Sequence, residues 1–241
     1  MAEDSGTALI TGAAHRIGRA IALHLASHGW RIGVHYRSSQ AEAKRLVDHI
    51  QTSGGSAAAI YADLSDIGAV QTLPGKCADQ LGTANLLINN ASLFEDDKLQ
   101  TASLESWDAH MACNVRAPVF LTQAFALLAP HNSCVVNIID QRVLKPSPEF
   151  FSYSASKAAL WAVTRTMAQA LAPRIRVNAI GPGPVLPSIH QTPEDFADEC
   201  ESTLLKRGVE ATEIAAAVRF ILDSPSMTGQ LIALDAGQHL S

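Results

Sequence analysis

Short apolar runs of β type alternate with stretches whose apolar residues recur at helical spacing, from one end of the 241-residue chain to the other. That alternation predicts helices on both faces of a mostly parallel sheet. Thr7 to Thr11 and Trp30 to Tyr36 read as the first two strands, and between them Ile17, Ala20, Ile21, Ala22 and Leu25 share one helix face, with Gly29 where a C-terminal cap belongs. Further strands are expected at Ser56 to Tyr61, Asn85 to Asn89, Ser133 to Ile139, Arg174 to Ile180 and Gln230 to Leu234, about seven in all. No repeat, charge run or low-complexity linker divides the chain, so residues 1–241 read as a single doubly wound α/β domain. One stretch breaks the rhythm. Residues 181–208 carry Pro182, Pro184, Pro187 and Pro193 and show no clear strand. Structureless loops of that length are uncommon in compact domains, so the stretch is read as an inserted substrate lid.

Composition narrows the function classes. Hydrophobic residues make up 47% and charged residues 17%, an ordinary globular balance that excludes disordered and fibrous chains. The net charge of −5 has the wrong sign for a partner held by phosphate neutralisation, so no nucleic acid is expected. Cys77, Cys113, Cys134 and Cys200 are far apart, with no CxxC pair, which fits a reduced compartment. The histidines include no HExxH pair, no metal is expected, and His15, His24 and His28 read as turn and helix-face residues. Trp30 and Trp161 read as core or interface residues. The acidic start, Met1 to Ser5, runs quickly into the first strand, and no uninterrupted apolar run approaches the roughly 20 residues of a membrane helix. A cytoplasmic protein without a membrane partner is expected.

Candidate chemistry begins at the end of the first strand. Thr11-Gly12-Ala13-Ala14-His15-Arg16-Ile17-Gly18 runs into a helix, and glycines there let the backbone approach a pyrophosphate stabilised by the helix N-terminus. A plain strand-to-helix turn would use the same residues. The second strand ends in His35-Tyr36-Arg37-Ser38-Ser39, with no acid where an NAD-binding domain presents one to the ribose. A guanidinium with two hydroxyls makes a cradle for a 2′-phosphate, and Arg16 adds a cation, so NADP(H) is favoured over NAD. The alternative for Arg37 is a solvated surface charge. Farther on, Tyr153-Ser154-Ala155-Ser156-Lys157 opens a long helical pattern. Tyr and Lys at i and i+4 share a helix face, which predicts an ammonium lowering the pKa of a phenol otherwise near 10. A chance surface pair has the same spacing.

The order of these pieces resembles the short-chain dehydrogenase/reductase family, a Rossmann-type fold, almost end to end. Thr11 to Gly18 resembles its cofactor turn, Asp63-Leu64 its adenine-side pair, and Asn89-Asn90-Ala91-Ser92 its strand-four motif. Asn114 resembles its structural and catalytic asparagine, Tyr153/Lys157 its YxxxK pair, and Pro182-Gly183 the motif after strand six. Two positions depart. Arg16 replaces a Gly before the final Ile-Gly of the turn, and Asp140 replaces the catalytic Ser upstream of the Tyr. Both substitutions resemble the pteridine reductase branch, which includes dihydromonapterin reductases. The phosphate segment His35 to Ser39 is similar to that branch's, and Phe94 falls where the branch stacks an aromatic on the pterin.

The resemblance implies an NADPH-dependent reductase of a pterin or dihydropterin, with dihydrofolate a further substrate to test. Hydride would reach a ring C=N carbon, and Tyr153 would donate the proton with Asp140 assisting. Lys157 would hold the nicotinamide ribose, and Asn114 would support a water joining Lys157 to solvent. Asp140 would either raise the tyrosine's pKa as a carboxylate or donate a proton itself; capping the next loop is its structural alternative. Ser92, Phe94, Pro184 and Val185 are expected at the substrate, with a plain core aromatic as the other reading of Phe94. A rival on the same scaffold is a carbonyl reductase acting on a 3-oxoacyl thioester or small ketone. The missing serine weakens that rival, whereas the Pro184-Val185-Leu186-Pro187 lid favours it. A third reading, a silent NADP-binding regulator, is opposed by retention of both Tyr153 and Lys157. The tail from Leu231 to Gly237 resembles the family's last strand, which implies a homotetramer.

Overall fold

The computed structural model describes residues 6–188 and 191–241; the expectations on Met1 to Ser5, and on Ile189 and His190 within the lid, fall outside them. The seven strands are β1 (Thr7–Ile10), β2 (Arg31–Tyr36), β3 (Ala57–Tyr61), β4 (Leu86–Asn89), β5 (Ser133–Ile138), β6 (Ile175–Pro182) and β7 (Leu231–Leu234). Each lies within two residues of its expected place. They form one sheet in the order β3-β2-β1-β4-β5-β6-β7, and every pairing is parallel.

The interior strands are apolar on both faces, as a sheet covered on both sides requires. The two-residue period sends Ala8 and Ile10 of β1 into one core with α1 (Arg16–Ser27), α2 (Gln40–Thr52) and α8 (Ala211–Leu222). Leu9 points the other way, into a core with α3 (Ile67–Leu81) and α5 (Ala117–Leu128). Helix α1 ends as expected: Gly29, at φ +83°, donates its N–H back to the Ala26 carbonyl. Trp30 is buried in the first core, and the half-buried Trp161 packs on Ile139, Leu160 and Ala179.

A buried polar chain fixes α6 (Phe151–Leu171) on the sheet. Asn89 Nδ2 donates to Asn137 Oδ1 at 2.8 Å, Asn137 Nδ2 to Thr164 Oγ1 at 2.8 Å, and Thr164 Oγ1 to the Leu160 carbonyl at 2.7 Å. Satisfied in this way, polar side chains in a core specify one helix position rather than costing stability.

Two helical features add to the expected elements. Within residues 181–208, Pro193–Ser202 form a helix, α7. Thr192 and Asp195 close a capping box around it, and Pro193 takes the N1 or N2 place, where a missing N–H costs nothing. Among the described residues, one helical stretch is long and apolar enough to cross a membrane by length and composition, Leu104–Leu128, of mean hydropathy 1.3. Glu105, Asp108 and Arg116 interrupt it, so the expectation that no uninterrupted apolar run reaches that length stands. It comprises α4 (Leu104–Met111), a π turn at Ala112–Arg116 and α5, whose Leu121 and Phe125 are buried in the second core.

Candidate active site

The strand order reverses direction at β1, and in open α/β sheets the crevice beyond the carboxyl ends of the strands at such a point receives ligands. A cavity of about 810 Å³ opens there. Most residues expected above to bind cofactor or substrate line it, while Thr11, Ala13 and Asn89 of the expected motifs and the expected Asn114 stand behind the wall.

The cofactor end is assembled by backbone contacts. Gly12 adopts φ +62°, open to glycine at little cost, and a Cβ at Gly18 would lie 2.4 Å from the Gly12 carbonyl oxygen. Thr11 Oγ1 accepts from the backbone N–H groups of Asn90 and Ala91 at 2.9 and 3.0 Å, while Asn90 Nδ2 donates to the Thr11 and Gly12 carbonyls. The Asn90-Ala91 pair therefore clamps the turn from beneath. The N-cap of α1, His15, makes no side-chain capping bond. These features fit a pyrophosphate: a glycine cradle that side chains would fill, opening on the uncapped end of a helix. Beside it Arg37 is exposed on the rim, with no hydrogen bond of its own among the described residues, next to Ser38 and Ser39.

His35 does something else. Its ring is 2% exposed; Nδ1 accepts from Gly12 N–H at 3.1 Å and Nε2 faces the Ala62 carbonyl at 3.1 Å, so the neutral Nε2–H tautomer satisfies both. Burial pushes the imidazole down to about 4. The histidine ties the turn to the end of β3 as an uncharged strut.

Arg16 is held at φ +51°, the left-handed region where most members of the resembled family carry Gly. The strain, about 1 kcal/mol for a side-chain-bearing residue, is offset by two bonds from its guanidinium. Nη1 donates to the Pro187 carbonyl at 2.7 Å and Nη2 to the Leu186 carbonyl at 2.9 Å. The turn and the Leu186-Pro187 segment are thus fastened directly to each other.

At the other end, Tyr153 Oη donates to Asp140 Oδ2 at 2.8 Å. Asp140 also caps the 3-10 turn that follows it, Oδ1 accepting from Arg142 N–H at 2.8 Å, so one carboxylate serves both the cap and the tyrosine. Lys157 is buried and donates to the Ile138 carbonyl at 3.0 Å. Burial pulls its ammonium down to about 8 despite the opposing pull of Asp140 and Cys113. The expected depression of the tyrosine pKa is reversed. Burial first and the Asp140 carboxylate second hold the phenol well above 10, and Arg142, not Lys157, is the cation that opposes them. The ammonium is 5.6 Å from the ring centroid.

Phe94 is half-buried on the cavity wall, not in the core. It stacks on Phe150 at 4.4 Å and 17° and meets the Tyr153 ring edge-on at 4.7 Å. Asn114 lies in the π turn, a feature often found at functional sites. Its Oδ1 accepts from Leu93 N–H at 2.8 Å, and its Nδ2 donates to the Leu93 carbonyl and to Ser156 Oγ, each at 2.9 Å. The side chain splices the β4 loop to α6 and is occupied in doing so.

Three residues escaped the sequence reading. Asp97 is 6% exposed; its Oδ1 accepts from Ser152 N–H at 2.9 Å, its backbone carbonyl accepts from Phe151 N–H, and Ser106 Oγ donates to its Oδ2. It anchors the first turn of α6, and hence Tyr153, against the helix dipole. No spacing rule connects it to α6. Phe150 and Arg142 stand three and two residues from Tyr153 and Asp140, and proximity to those residues was the available signal.

Comparison with known proteins places this geometry. A family model described as Enoyl-(Acyl carrier protein) reductase matches residues 12–239. The 3-oxoacyl-[acyl-carrier-protein] reductase FabG of Staphylococcus epidermidis is 30% identical over 241 residues, covering 97% of this chain and 99% of its own. Among solved structures, the FolM alternative dihydrofolate reductase 1 from Brucella canis complexed with NADP is 47% identical with a TM-score of 0.96, over 99% of this chain and 95% of that one. The Brucella suis FolM in complex with NADP is likewise 47% identical with a TM-score of 0.96, over 100% and 97%.

Proposed function

The chain belongs to the short-chain dehydrogenase/reductase family, and on that premise we propose that it is an NADPH-dependent reductase of a dihydropterin or dihydrofolate. The observation that carries the reading is the 2.8 Å bond from Tyr153 to Asp140 in the wall that also bears Phe94. The 47% identity to the two Brucella FolM alternative dihydrofolate reductases supports it.

The cofactor, when bound, supplies the hydride. Gly12, Ile17 and Gly18 would admit its pyrophosphate at the start of α1, with His15 beside it. Arg37, Ser38 and Ser39, next to Tyr36, would hold the 2′-phosphate; Asp63 and Leu64 would face the adenine side, and Ala91, Ser92, Pro182 and Gly183 the nicotinamide side. Lys157 would hold the ribose hydroxyls. Phe94 offers a ring face for a flat heterocycle, with Pro184 and Val185 on the lid side of the substrate, and such ring pairs contribute about 0.5–1.5 kcal/mol beyond area burial.

Hydride addition to a C=N carbon leaves the electron pair on nitrogen, a far stronger base than a phenolate. A tyrosine held well above 10 is fully loaded with its proton at neutral pH and still transfers it downhill to that nitrogen. The phenolate left behind would be balanced by Arg142 and would regain a proton from solvent, Asn114 keeping the loop and helix that frame this path in register. A developing alkoxide, in contrast, would meet the Asp140 carboxylate, which disfavours ketone reduction here. The homotetramer belongs to the same proposal, with Leu127 and Leu128 of α5 and Phe220 of α8 exposed as candidate contacts, as does a cytoplasmic setting.

The test is NADPH oxidation by the wild-type protein with dihydrobiopterin, dihydromonapterin, dihydrofolate, a 3-oxoacyl thioester and small ketones. Turnover of the dihydropteridines well above the carbonyl compounds is expected. Turnover of 3-oxoacyl thioesters alone, the activity named for relatives at 30–31% identity, would replace this reading with the carbonyl one.

A further inference from the structure

We infer that Arg142 is a specificity-determining residue that receives a carboxylate on the tail of the substrate, so that the site prefers pteridines bearing an acidic tail over neutral ones. The inference rests on the pteridine reading above. Four Arg and Lys side chains line the cavity among the described residues: Arg16, Arg37, Arg142 and Lys157. Arg16 is committed to the lid carbonyls and Lys157 to the Ile138 carbonyl, and Arg37 stands at the cofactor phosphate segment. Arg142 is the cation left on the substrate side.

Its present engagement is slight. Nη1 reaches Asp140 Oδ2 at 3.5 Å, a long single contact, and the other guanidinium N–H groups make no hydrogen bond among the described residues. The guanidinium carbon lies 5.9 Å from the Phe94 ring centroid and 5.2 Å from that of Phe150. The side chain is 21% exposed, open to the cavity. A planar fork with free donors, steadied on an aromatic plate, is suited to bidentate capture of a carboxylate.

Placement decides where that carboxylate would be. Arg142 and Tyr153 share one oxygen of Asp140, and the Phe94 edge contact links the same plate to Tyr153. A heterocycle lying on Phe94 with its reducible bond at Tyr153 therefore has its rim beside Arg142, and a substituent on that rim meets the guanidinium.

The experiment compares kcat and KM for dihydrofolate, dihydrofolate with both tail carboxylates esterified, and dihydrobiopterin, in wild type, Arg142→Met and Arg142→Lys. In wild type, esterification is expected to raise KM about tenfold, the loss of one charge-assisted pair, and added salt to raise KM for dihydrofolate more than for dihydrobiopterin. Arg142→Met should raise the dihydrofolate KM about tenfold more than that of dihydrobiopterin, with Arg142→Lys recovering part of the difference. Equal KM for the acid and the ester in wild type, or equal effects of Arg142→Met on both substrates, overturns the inference while leaving the pteridine reading intact. The ester comparison needs no folded variant. Absence of turnover with every pteridine would instead refute the reading beneath it.

Discussion

At the β1–β3 end of the cavity nearly every contact is made by backbone or by a neutral side chain: Thr11 to Asn90 and Ala91, Gly12 to His35, His35 to Ala62. At the β5–α6 end the contacts run between ionisable groups, with Tyr153, Asp140 and Arg142 meeting at one carboxylate and Lys157 buried close by. The first end fixes a backbone shape that any dinucleotide could use. The second sets protonation and charge, which distinguish one substrate from another. Damage to the cofactor end should therefore appear in cofactor affinity and stability, and damage to the substrate end in turnover and selectivity.

The sharpest break of this division is Tyr153→Phe, which removes the proposed proton donor. Turnover of a dihydropteridine should fall about 10²–10⁴-fold, while NADPH binding followed by fluorescence stays near wild type; retained turnover would remove Tyr153 from the chemistry. The next effect belongs to the cofactor end and is read in stability. Because folding lowers the His35 pKa from about 6.5 to about 4, the unfolded chain takes up this proton first as pH falls. The strut's contribution is therefore complete above pH 6.5 and is lost progressively down to about pH 4. The loss is about 3 kcal/mol in order of magnitude. Chemical denaturation at pH 7 and pH 4.5 should show it in wild type, and a His35→Asn variant should show a flatter dependence.

Asp97→Ala should cost about 1–3 kcal/mol, because it strips the partners from the Ser152 N–H and Ser106 hydroxyl. Its kinetic signature would be a lowered kcat with an unchanged KM for NADPH, since the first turn of α6 carries Tyr153 and not the phosphate segment. Arg37→Ala should be smallest, raising the KM for NADPH about tenfold while leaving that for NADH unchanged. A parallel rise for both cofactors would mean that Arg37 does not meet the 2′-phosphate.

The same division explains what could be read from the chain alone. Strands covered on both faces are apolar in short runs, and glycine turns leave a local signature, so all seven strands and the cofactor end were legible. Asp140 was legible only through the family resemblance, as the residue standing where the family carries a serine upstream of the tyrosine. What was lost depends on contacts across the fold. Asp97 meets α6 across 55 residues, and the Phe94–Phe150 stack joins two loops. The tyrosine's raised pKa follows from burial, which the i, i+4 spacing to Lys157 does not reveal. In α7 the helix signal is local, the Thr192-Pro193-Glu194-Asp195 capping box, set among prolines that punctuate the rest of the stretch.

The central claim is that Asp140, by its bond to Tyr153, sets this site for C=N rather than C=O reduction. The most direct measurement is the ratio of kcat/KM for dihydrobiopterin to that for a 3-oxoacyl thioester, taken in wild type and in Asp140→Ser. The account predicts a ratio well above one in wild type that falls by at least about tenfold in the variant, as the carboxylate facing a developing alkoxide is replaced by a hydroxyl. A ratio unchanged by the substitution, or below one in wild type, would contradict it.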